Sequence, residues 1–362
     1  MKRDGSQVFH VSAAQAGRTL ASSLRGWQPQ LSWSKVRREI ESRRVQINGN
    51  LCLDEERRLR EGDVVKILSH SLAPLPELSD VKVRYLDAHI VIVEKPAGLT
   101  TMRHFEERNW SDRRRQKQLT LQEMLPRIIE DYEESRRRQR AGRHAKRRDE
   151  SRTDKQAPAR RLPPVRPVHR LDRDTSGLMV FARTVPAERQ LVQQFRKHTI
   201  KRSYLAVVHG HPEAQTIRSS LVRDRGDGRR GSTSLPEAGQ HAVTHMRPIE
   251  RLGEYSLIEC RLETGRTHQI RIHLSELGHF LCGDKVYCQP LFQKPRVDKS
   301  GAPRLALHSK EIGLVHPLTG ESIHFTMDLP EDLRSFIDRL RAKSKSGRSL
   351  RESSSDETRT DS

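Results

Sequence analysis

The sequence predicts an α+β protein in which a small N-terminal module precedes a larger second domain. Its 362 residues exceed what one core usually organises, so two domains are expected. Apolar runs such as Ile90–Val93 indicate buried strands, and Val243–Leu252 with Tyr255–Leu262 indicates a strand pair. Apolar residues at helical spacing, as in Leu119–Ile129, predict helices that flank these strands.

The charge balance indicates a polyanionic partner. Lysine and arginine total 68 against 47 acidic residues, which gives a formal net charge of +21. Nucleic acid is the usual partner of so basic a protein, although charge alone does not separate RNA from DNA. An anionic membrane surface is the rival interpretation. The chain has no long uncharged apolar run and no isolated basic amphipathic helix, so we expect no membrane contact.

Cysteine and histidine usage gives no sign of a disulfide framework or a metal site. The chain has four cysteines and no CxxC pair, the cysteines being Cys52, Cys260, Cys282 and Cys288. Its histidines between residues 268 and 279 are not spaced as in HExxH, so we expect no metal. The first residues lack the apolar segment of a signal peptide. A reduced, cytoplasmic compartment is therefore expected.

The N-terminal module is predicted to span residues 8–69. Val36 and Ile40 lie one helical turn apart and share a face of a predicted helix. Asn48-Gly49 follows a short alternating strand and predicts a hairpin, because both residues tolerate positive φ. Basic residues surround these elements, namely Lys35, Arg37, Arg38 and Arg44. They suit phosphate contacts that do not read bases; the alternative is a solvated helix face.

Residues 70–79 are predicted to form a linker, because two prolines interrupt any regular element there. The second domain is expected at residues 80–335. It contains a long basic insertion at residues 103–161, which has few apolar residues outside Leu119–Ile129 and is expected to be mobile. We favour RNA engagement for it over a solubilising loop. Periodicity is lost from about Leu340, so residues 341–362 are predicted to be a disordered tail.

The most informative stretch is a charged loop at residues 169–178, HRLDRDTSGL, which leads into an apolar strand. A loop held by a buried strand can present a reactive group rigidly. Asp172 is the candidate, because Arg170 and Arg173 favour its ionised form and can also meet a phosphate. The competing interpretation, favoured by composition alone, is an aspartate that only stabilises the turn.

A second informative stretch is the helix predicted after residue 266. Thr267 is its expected N-cap, and Gly278 is expected to end it. Apolar residues within Ile270–Leu277 recur at helical spacing and form its buried stripe. Arg271 lies off that stripe, so it is free to face a neighbouring loop.

Together these motifs resemble the large-ribosomal-subunit type of pseudouridine synthases. HRLDRDTSGL matches the signature of that family. Further matching blocks follow in the order of the family: Lys95–Leu99, Lys201–Val208, Thr264–His273, Gly283–Tyr287, Leu307–Ser309 and His316–Glu321. The resemblance covers most of residues 81–330, with the basic insertion as a departure. It implies a mixed, largely antiparallel central sheet with flanking helices, and isomerisation of uridine in structured RNA without a cofactor.

The resemblance also assigns roles to individual residues. Asp172 matches the catalytic aspartate, and Arg271 matches the basic residue that pairs with it. Tyr204 matches the active-site aromatic residue, whose ring can stack on uracil and whose hydroxyl can move a proton. Arg170 is the candidate to occupy the space left by an extruded uridine. The same motif supplies two further expected substrate-binding residues, His169 and Thr175.

The N-terminal module resembles the αL-type RNA-binding domain of ribosomal proteins. This resemblance favours ribosomal RNA of the large subunit over transfer RNA as the substrate. We expect RNA as the partner and a monomeric protein. Two alternatives are left open. One is a non-catalytic RNA-binding or ribosome-assembly factor on the same fold, and the other is a DNA-binding protein, which has charge as its only support.

Overall fold

The computed structural model describes residues 7–48, 50–69, 71, 76–103, 115–116, 118–142, 162–226, 229–288 and 296–356. These residues form two sheets, and the apolar core of the first shares no residue with the cores of the second. Within the described ranges, none of the helices has an apolar stretch long enough to cross a bilayer.

The first sheet belongs to the N-terminal module. Its antiparallel strands are β1 (Gln7–His10), β2 (Val45–Ile47), β3 (Asn50–Leu51) and β4 (Val64–Ile67), in the order β1-β4-β2-β3. Two helices pack on it, α1 (Leu20–Trp27) and α2 (Trp33–Glu41). Val36 and Ile40 are buried in the core, as their spacing predicts. Asn48 has a φ of 52° and begins the turn between β2 and β3, where the sequence predicts a hairpin.

The second sheet is mixed and largely antiparallel, as the resemblance implies. Its strands are β5 (Lys82–Leu86), β6 (Ile90–Lys95), β7 (Arg166–Pro167), β8 (Ser176–Ala182), β9 (Lys201–His209), β10 (Gln215–Val222), β11 (Gly231–Thr233), β12 (Gln240–Leu252), β13 (Tyr255–Leu262), β14 (Leu307–Val315) and β15 (Ser322–Thr326). The order is β11-β10-β12-β13-β9-β14-β8-β6-β5, with β15 on β14 and β7 on β8. Among the described strands, β8 and β14 form the one parallel pair. The predicted strand pair is β12 with β13.

Four helices of the described chain accompany this sheet: α3 (Leu121–Gly142), α4 (Val185–Arg196), α5 (Gln269–Glu276) and α6 (Glu331–Asp356). Helix α3 lies inside the predicted insertion. Its apolar residues are buried on one face, which confirms the amphipathic pattern; they are Leu121, Met124, Leu125, Ile128 and Ile129. The ordered helix differs from the expectation of mobility over residues 121–142, because this face packs on the sheet. Residues 104–114, 117 and 143–161 lie outside the described residues.

Helix α6 runs past the point where the sequence predicts a disordered tail. Leu333, Phe336 and Ile337 are buried in one apolar cluster with residues of β9 and β13. Arg341 then forms an ion pair with Glu250 at 2.7 Å. Packing already fixes the first turns of α6, so the cost of nucleating the helix is covered there. Each further residue then adds one backbone hydrogen bond, and the helix continues to Asp356. Residues 357–362 lie outside the described residues.

The centre of the second sheet fixes the loop that carries Asp172. Strand β8 begins just after this loop, and every one of its residues is buried. Gly177 has a φ of 127°, and a Cβ at this position would lie 2.2 Å from the carbonyl oxygen of Ser309. Glycine is therefore required where β8 approaches β14. Ser309 also pairs with Tyr204 on β9, so the strand register brings the loop and Tyr204 to the same region.

Candidate active site

A buried lysine holds the loop that contains Asp172. Lys95 is 0% exposed, and its Nζ donates to the carbonyl oxygens of Pro96 (2.9 Å), Arg173 (2.9 Å) and Thr175 (2.7 Å). Burial lowers the pKa of Lys95 to about 7, although the carboxylates of Asp174 and Asp172 oppose this shift. Two of the three acceptors lie in the motif at residues 169–178, so Lys95 sets the backbone path on which Asp172 sits.

Thr101 and Gly98 brace the same loop from the other side. The Thr101 hydroxyl donates to the Leu171 carbonyl at 2.8 Å and accepts from the Leu171 amide at 3.2 Å. The Gly98 amide donates to the Arg173 carbonyl at 2.8 Å, and the Arg173 Nε donates to the Gly98 carbonyl at 3.0 Å. The loop is thus rigid through backbone contacts on both sides of Asp172, as a site for a reactive group requires.

Arg271, on helix α5, lies between two carboxylates. Its Nε and Nη2 donate to the two oxygens of Asp284 at 2.7 and 2.9 Å, and its Nη1 lies 3.3 Å from Oδ2 of Asp172. Its guanidinium also lies over the ring of Tyr287, 5.0 Å from the centroid. Burial opposes its charge, but Asp284 and Asp172 outweigh burial and raise the pKa of Arg271. The predicted pairing of Asp172 with Arg271 is present in the structure.

Asp172 is held ionised in a largely desolvated position. Its side chain is 16% exposed. Burial alone would raise the pKa of Asp172, but the positive charges of His268, Arg271 and Arg170 outweigh burial and lower the pKa. Burial also lowers the pKa of His268, so this ring is neutral at pH 7. At neutral pH the two arginines therefore supply the positive charge that keeps the carboxylate ionised.

His268 is the third side chain beside Asp172. Its Nε2 lies 3.8 Å from Oδ1 of Asp172, and its Nδ1 lies 2.8 Å from the hydroxyl of Tyr287. It occupies the N-cap position of α5 with a left-handed φ of 60°. The sequence-based assignment of Thr267 as the cap is therefore wrong, because the helix begins one residue later. Gly278 follows the end of α5 with a φ of 83°, as predicted.

Tyr204 is 6% exposed on β9. Burial raises the pKa of Tyr204, and the nearby charge of Asp172 acts in the same direction. Its hydroxyl therefore stays protonated at neutral pH. The register of β8, β14 and β9 thus brings Tyr204 to the region of the Asp172 loop, and Arg271 reaches Asp172 from helix α5.

Three further residues of the motif lie in different environments. Arg170 is exposed, and its charge acts on Asp172. Thr175 is buried, and its Oγ1 has no hydrogen-bond partner among the described residues. His169 accepts a hydrogen bond from the Val180 amide at 3.1 Å and stacks on Phe195 at 4.8 Å. Both its ring face and its Nε2 are occupied by the protein, which favours a structural role over the substrate-binding role expected from the sequence.

The four basic residues of the N-terminal module also differ from one another. Lys35 and Arg38 are exposed on α2. Arg37 forms an ion pair with Glu55 at 2.9 Å and is also exposed. Arg44 donates to the Leu68 carbonyl at 2.7 Å and pairs with Glu39 at 2.8 Å. Arg44 therefore stabilises the fold of the module, whereas the charged groups of Lys35 and Arg38 are exposed to solvent.

Sequence reasoning assigned no role to four residues that build the site: Lys95, His268, Asp284 and Tyr287. Each lies inside a motif block quoted for the family resemblance, so a signal was present. That signal showed that each residue belongs to a motif of the family, but it did not show which side chain the residue contacts. Asp284 and Lys95 act by holding other groups, and this kind of role depends on spatial neighbours that lie 13 and 78 to 80 positions away.

One cluster in the described residues brings possible metal ligands together. Ligand atoms of His209, Cys282 and Asp298 lie within 4.8 Å of one another. The carboxylate of Asp298 already accepts hydrogen bonds from His209 Nε2 at 3.0 Å, the Gly283 amide at 2.5 Å and the Ser300 amide at 2.8 Å. These hydrogen bonds to Asp298 explain why the three side chains lie close together, and they hold the loop at residues 298–300 in place.

A family described as RNA pseudouridylate synthase matches residues 89–276, a range that includes Asp172, Tyr204 and Arg271. The chain belongs to this family. The resemblance read from the motifs is thereby confirmed, and with it the class of enzyme, an isomerase that acts on RNA.

Individual relatives of this synthase agree. A ribosomal large subunit pseudouridine synthase D of Zymomonas mobilis is 44% identical, over 46% of this chain and 53% of that protein. An uncharacterized RNA pseudouridine synthase of Synechocystis is 32% identical over 87% of this chain and 86% of its own length. A ribosomal large subunit pseudouridine synthase D of Neisseria meningitidis is 32% identical over 90% of this chain and 79% of its own length.

A solved structure supports the fold of this synthase. Human RNA pseudouridylate synthase domain containing 4 covers 73% of this chain and 94% of its own, with a TM-score of 0.51 and 21% identity. At that identity the likeness concerns the fold alone. It agrees with the mixed, largely antiparallel sheet described above.

Proposed function

We propose that this synthase isomerises specific uridines of large-subunit ribosomal RNA, with Asp172 as the catalytic carboxylate. The contact between Arg271 and Asp172, fixed by Asp284, is the observation that carries the assignment. The names of the Zymomonas and Neisseria relatives support large-subunit ribosomal RNA as the target.

The proposed chemistry needs no external group. The bond from ribose C1′ to uracil N1 breaks, a bond from C1′ to C5 forms, and the proton of C5 is lost while N1 gains one. The carboxylate can attack the ring, attack the sugar carbon or remove a sugar proton. Each route requires an ionised Asp172, and the lowered pKa supports that state at neutral pH.

The neighbouring side chains are proposed to divide the remaining tasks. Arg271 orients Asp172 and keeps it charged. Tyr204 stacks on the uracil ring, and its protonated hydroxyl is a hydrogen-bond donor. Arg170 is exposed beside Asp172 and is proposed to fill the stack after the target uridine swings out, a step that costs about a few kcal/mol.

We propose that the N-terminal module adds affinity by phosphate contacts through Lys35 and Arg38, with a smaller share from Arg37. Arg44 is left out of this set because its guanidinium is already engaged. A cytoplasmic location is also proposed. It is supported by the four cysteines, which are free thiols in the structure.

The test is modification mapping. Ribosomal RNA from cells that lack this protein is incubated with the purified wild type or with Asp172→Asn, and pseudouridines are mapped in both. We expect the wild type to restore specific sites and Asp172→Asn to restore none while it binds RNA equally well. Equal activity of Asp172→Asn would overturn the catalytic assignment. If the wild type binds RNA but modifies no uridine, the result would favour a non-catalytic assembly factor.

A further inference from the structure

The environment of His268 assigns it a function that neither the family signature nor the sequence analysis gave. Four described non-glycine residues have positive φ: Arg43, Asn48, His198 and His268. Arg43 and His198 follow the ends of helices, and Asn48 lies in a hairpin turn, where such φ values are common. His268 instead begins a helix. A left-handed histidine is strained, and such strain at a candidate active site points to a functional constraint.

The strained backbone holds the imidazole beside the reactive carboxylate. Nε2 of His268 lies 3.8 Å from Oδ1 of Asp172, which is too long for a hydrogen bond. The imidazole side chain is 28% exposed, so it borders the open space beside Asp172. On its other side, Nδ1 lies 2.8 Å from the hydroxyl of Tyr287. One nitrogen is thus engaged by Tyr287, and the other lies beside the carboxylate of Asp172 without a hydrogen bond to it.

Charge and hydrogen bonding fix the proton on Nε2. Burial raises the pKa of Tyr287, so its hydroxyl remains protonated and can donate to Nδ1. Burial also lowers the pKa of His268, which leaves the ring neutral with a single proton. The anionic Asp172 lies on the Nε2 side and favours the proton there. The other charged groups that face the ring are Arg271, Asp284 and Arg230.

We propose that His268 donates a hydrogen bond from Nε2 to a carbonyl oxygen of the target uracil and that Tyr287 holds it in the required tautomer. The proposal rests on the proposed function. When the bond to N1 breaks, or when the ring is attacked, negative charge spreads onto the uracil oxygens. A fixed neutral donor next to the catalytic carboxylate stabilises that charge on each of the three routes open to Asp172.

The first experiment separates this role from a structural one. His268→Asn keeps a residue that tolerates left-handed φ but is too short to reach the substrate, whereas His268→Gln restores a donor near the position of Nε2. Tyr287→Phe removes the hydroxyl that fixes the tautomer. His245→Asn, on a half-exposed histidine of β12, is the matched control. Single-turnover rates on the mapped target, RNA affinity and thermal unfolding are measured for each.

We expect His268→Asn to slow the single turnover by about 100-fold while RNA affinity stays within about twofold. His268→Gln should recover part of that loss, and Tyr287→Phe should show a smaller loss. Because the donor is neutral, the relative loss should not change between pH 7 and 9. A His268→Asn rate within about threefold of the wild type overturns the proposal, as does a loss explained by weaker RNA binding or lower stability.

A second experiment locates the hydrogen bond on the base. The target uridine is replaced by 2-thiouridine or 4-thiouridine, since sulfur accepts a hydrogen bond less well than oxygen. One of the two substitutions should slow the wild type but have little further effect on His268→Asn. If both substitutions slow the two proteins by the same factor, the contact does not exist. A wild type that modifies no uridine refutes both proposals, whereas an active wild type with an active His268→Asn refutes this one alone.

Discussion

Arg271 and Asp284 face each other through two parallel contacts, Nε to Oδ2 at 2.7 Å and Nη2 to Oδ1 at 2.9 Å. Both side chains are buried, and Asp284 also accepts hydrogen bonds from the amides of Val286 and Tyr287. Its carboxylate is therefore fixed before any substrate arrives. The third guanidinium nitrogen, which lies 3.3 Å from Asp172, takes its position from this pairing.

Asp284→Asn should weaken catalysis without removing any group that contacts substrate. The buried guanidinium loses its charged partner, which should lower the free energy of unfolding by about 3–5 kcal/mol. Loss of orientation should reduce the single-turnover rate by about 10–100-fold. Asp332→Asn removes a partially exposed partner of Arg304 and should cost less than about 1 kcal/mol. Urea unfolding and rate measurements check both, and a fully active Asp284→Asn would contradict the positioning role.

Lys95→Met should loosen the loop that carries Asp172. Three carbonyl oxygens lose their donor, so we expect a loss of about 1–3 kcal/mol in unfolding free energy and a slower single turnover. Lys82→Met, on exposed Lys82 of the neighbouring strand β5, is the control and should change neither quantity. If Lys95→Met leaves the turnover rate intact, the loop does not depend on this lysine.

The same variant has a defined pH dependence. The pKa of Lys95 is about 7 in the fold and 10.5 in the unfolded chain, so above pH 7 the unfolded chain binds a proton that the folded chain has released. Wild-type stability relative to Lys95→Met should therefore rise between pH 7 and 9, by at most about 1.4 kcal/mol per pH unit. Urea unfolding at the two pH values measures this, and an unchanged difference would show that the amine keeps the third proton with which it donates to three carbonyl oxygens.

Gly177→Ala should be severely destabilising. The new Cβ would lie 2.2 Å from the Ser309 carbonyl oxygen, and the φ of 127° is unfavourable for alanine as well. We expect a loss above about 3 kcal/mol or failure to fold. Gly320→Ala separates the two causes, because Gly320 has a φ of 76° but no atom within 4 Å of the added Cβ. Its loss should be about 1 kcal/mol in thermal unfolding. Equal losses would show that the contact with Ser309 is unimportant.

His169 should behave as a structural residue with an acid-sensitive contribution. Burial lowers the pKa of His169 to about 3, and burial also lowers the pKa values of His273 and His308 to about 4. These rings are neutral in the fold, so stability should fall as pH drops below 6.5, where only the unfolded chain takes up protons. The free energy of unfolding of His169→Phe, measured in urea, should fall less steeply between pH 6 and 4 than that of the wild type. The variant should bind RNA normally at pH 7. A loss of RNA affinity would restore the substrate-binding role.

Lys35→Gln combined with Arg38→Gln should weaken RNA binding in a salt-dependent way. Removal of two phosphate contacts should reduce the slope of log affinity against log salt by about 1.5. Arg44→Gln is the comparison, because loss of its contacts with Leu68 and Glu39 should lower stability and leave the slope unchanged. Filter binding over a salt series measures the slopes. Identical slopes for all variants would place the phosphate contacts elsewhere.

The sequence predicted strands β6, β8, β12 and β13 of the second sheet and the identity of the candidate catalytic residue. These strands were predictable because alternation and apolar runs depend on residues that are adjacent in the sequence. The hairpin at Asn48 was predicted from only two residues. The difference at α6 has a tertiary cause. Residues after 341 carry no apolar period, yet the helix continues from a docked start. The difference at α3 is similar, since burial of one apolar face ordered part of a very basic interval.

The motif around Asp172, together with the blocks that match the same family, determined the family and the class of reaction and pointed to Asp172 as the candidate catalytic residue, because these depend on residue types at short fixed spacings. Only the tertiary structure decided which groups surround that carboxylate. Arg271 meets Asp172 across 99 residues, Lys95 holds its loop from 78 to 80 residues away, and His169 turns inward to Val180. Contacts of this kind depend on the register of β6, β8, β14 and β9, which is set by packing of the whole sheet and cannot be read from any one segment.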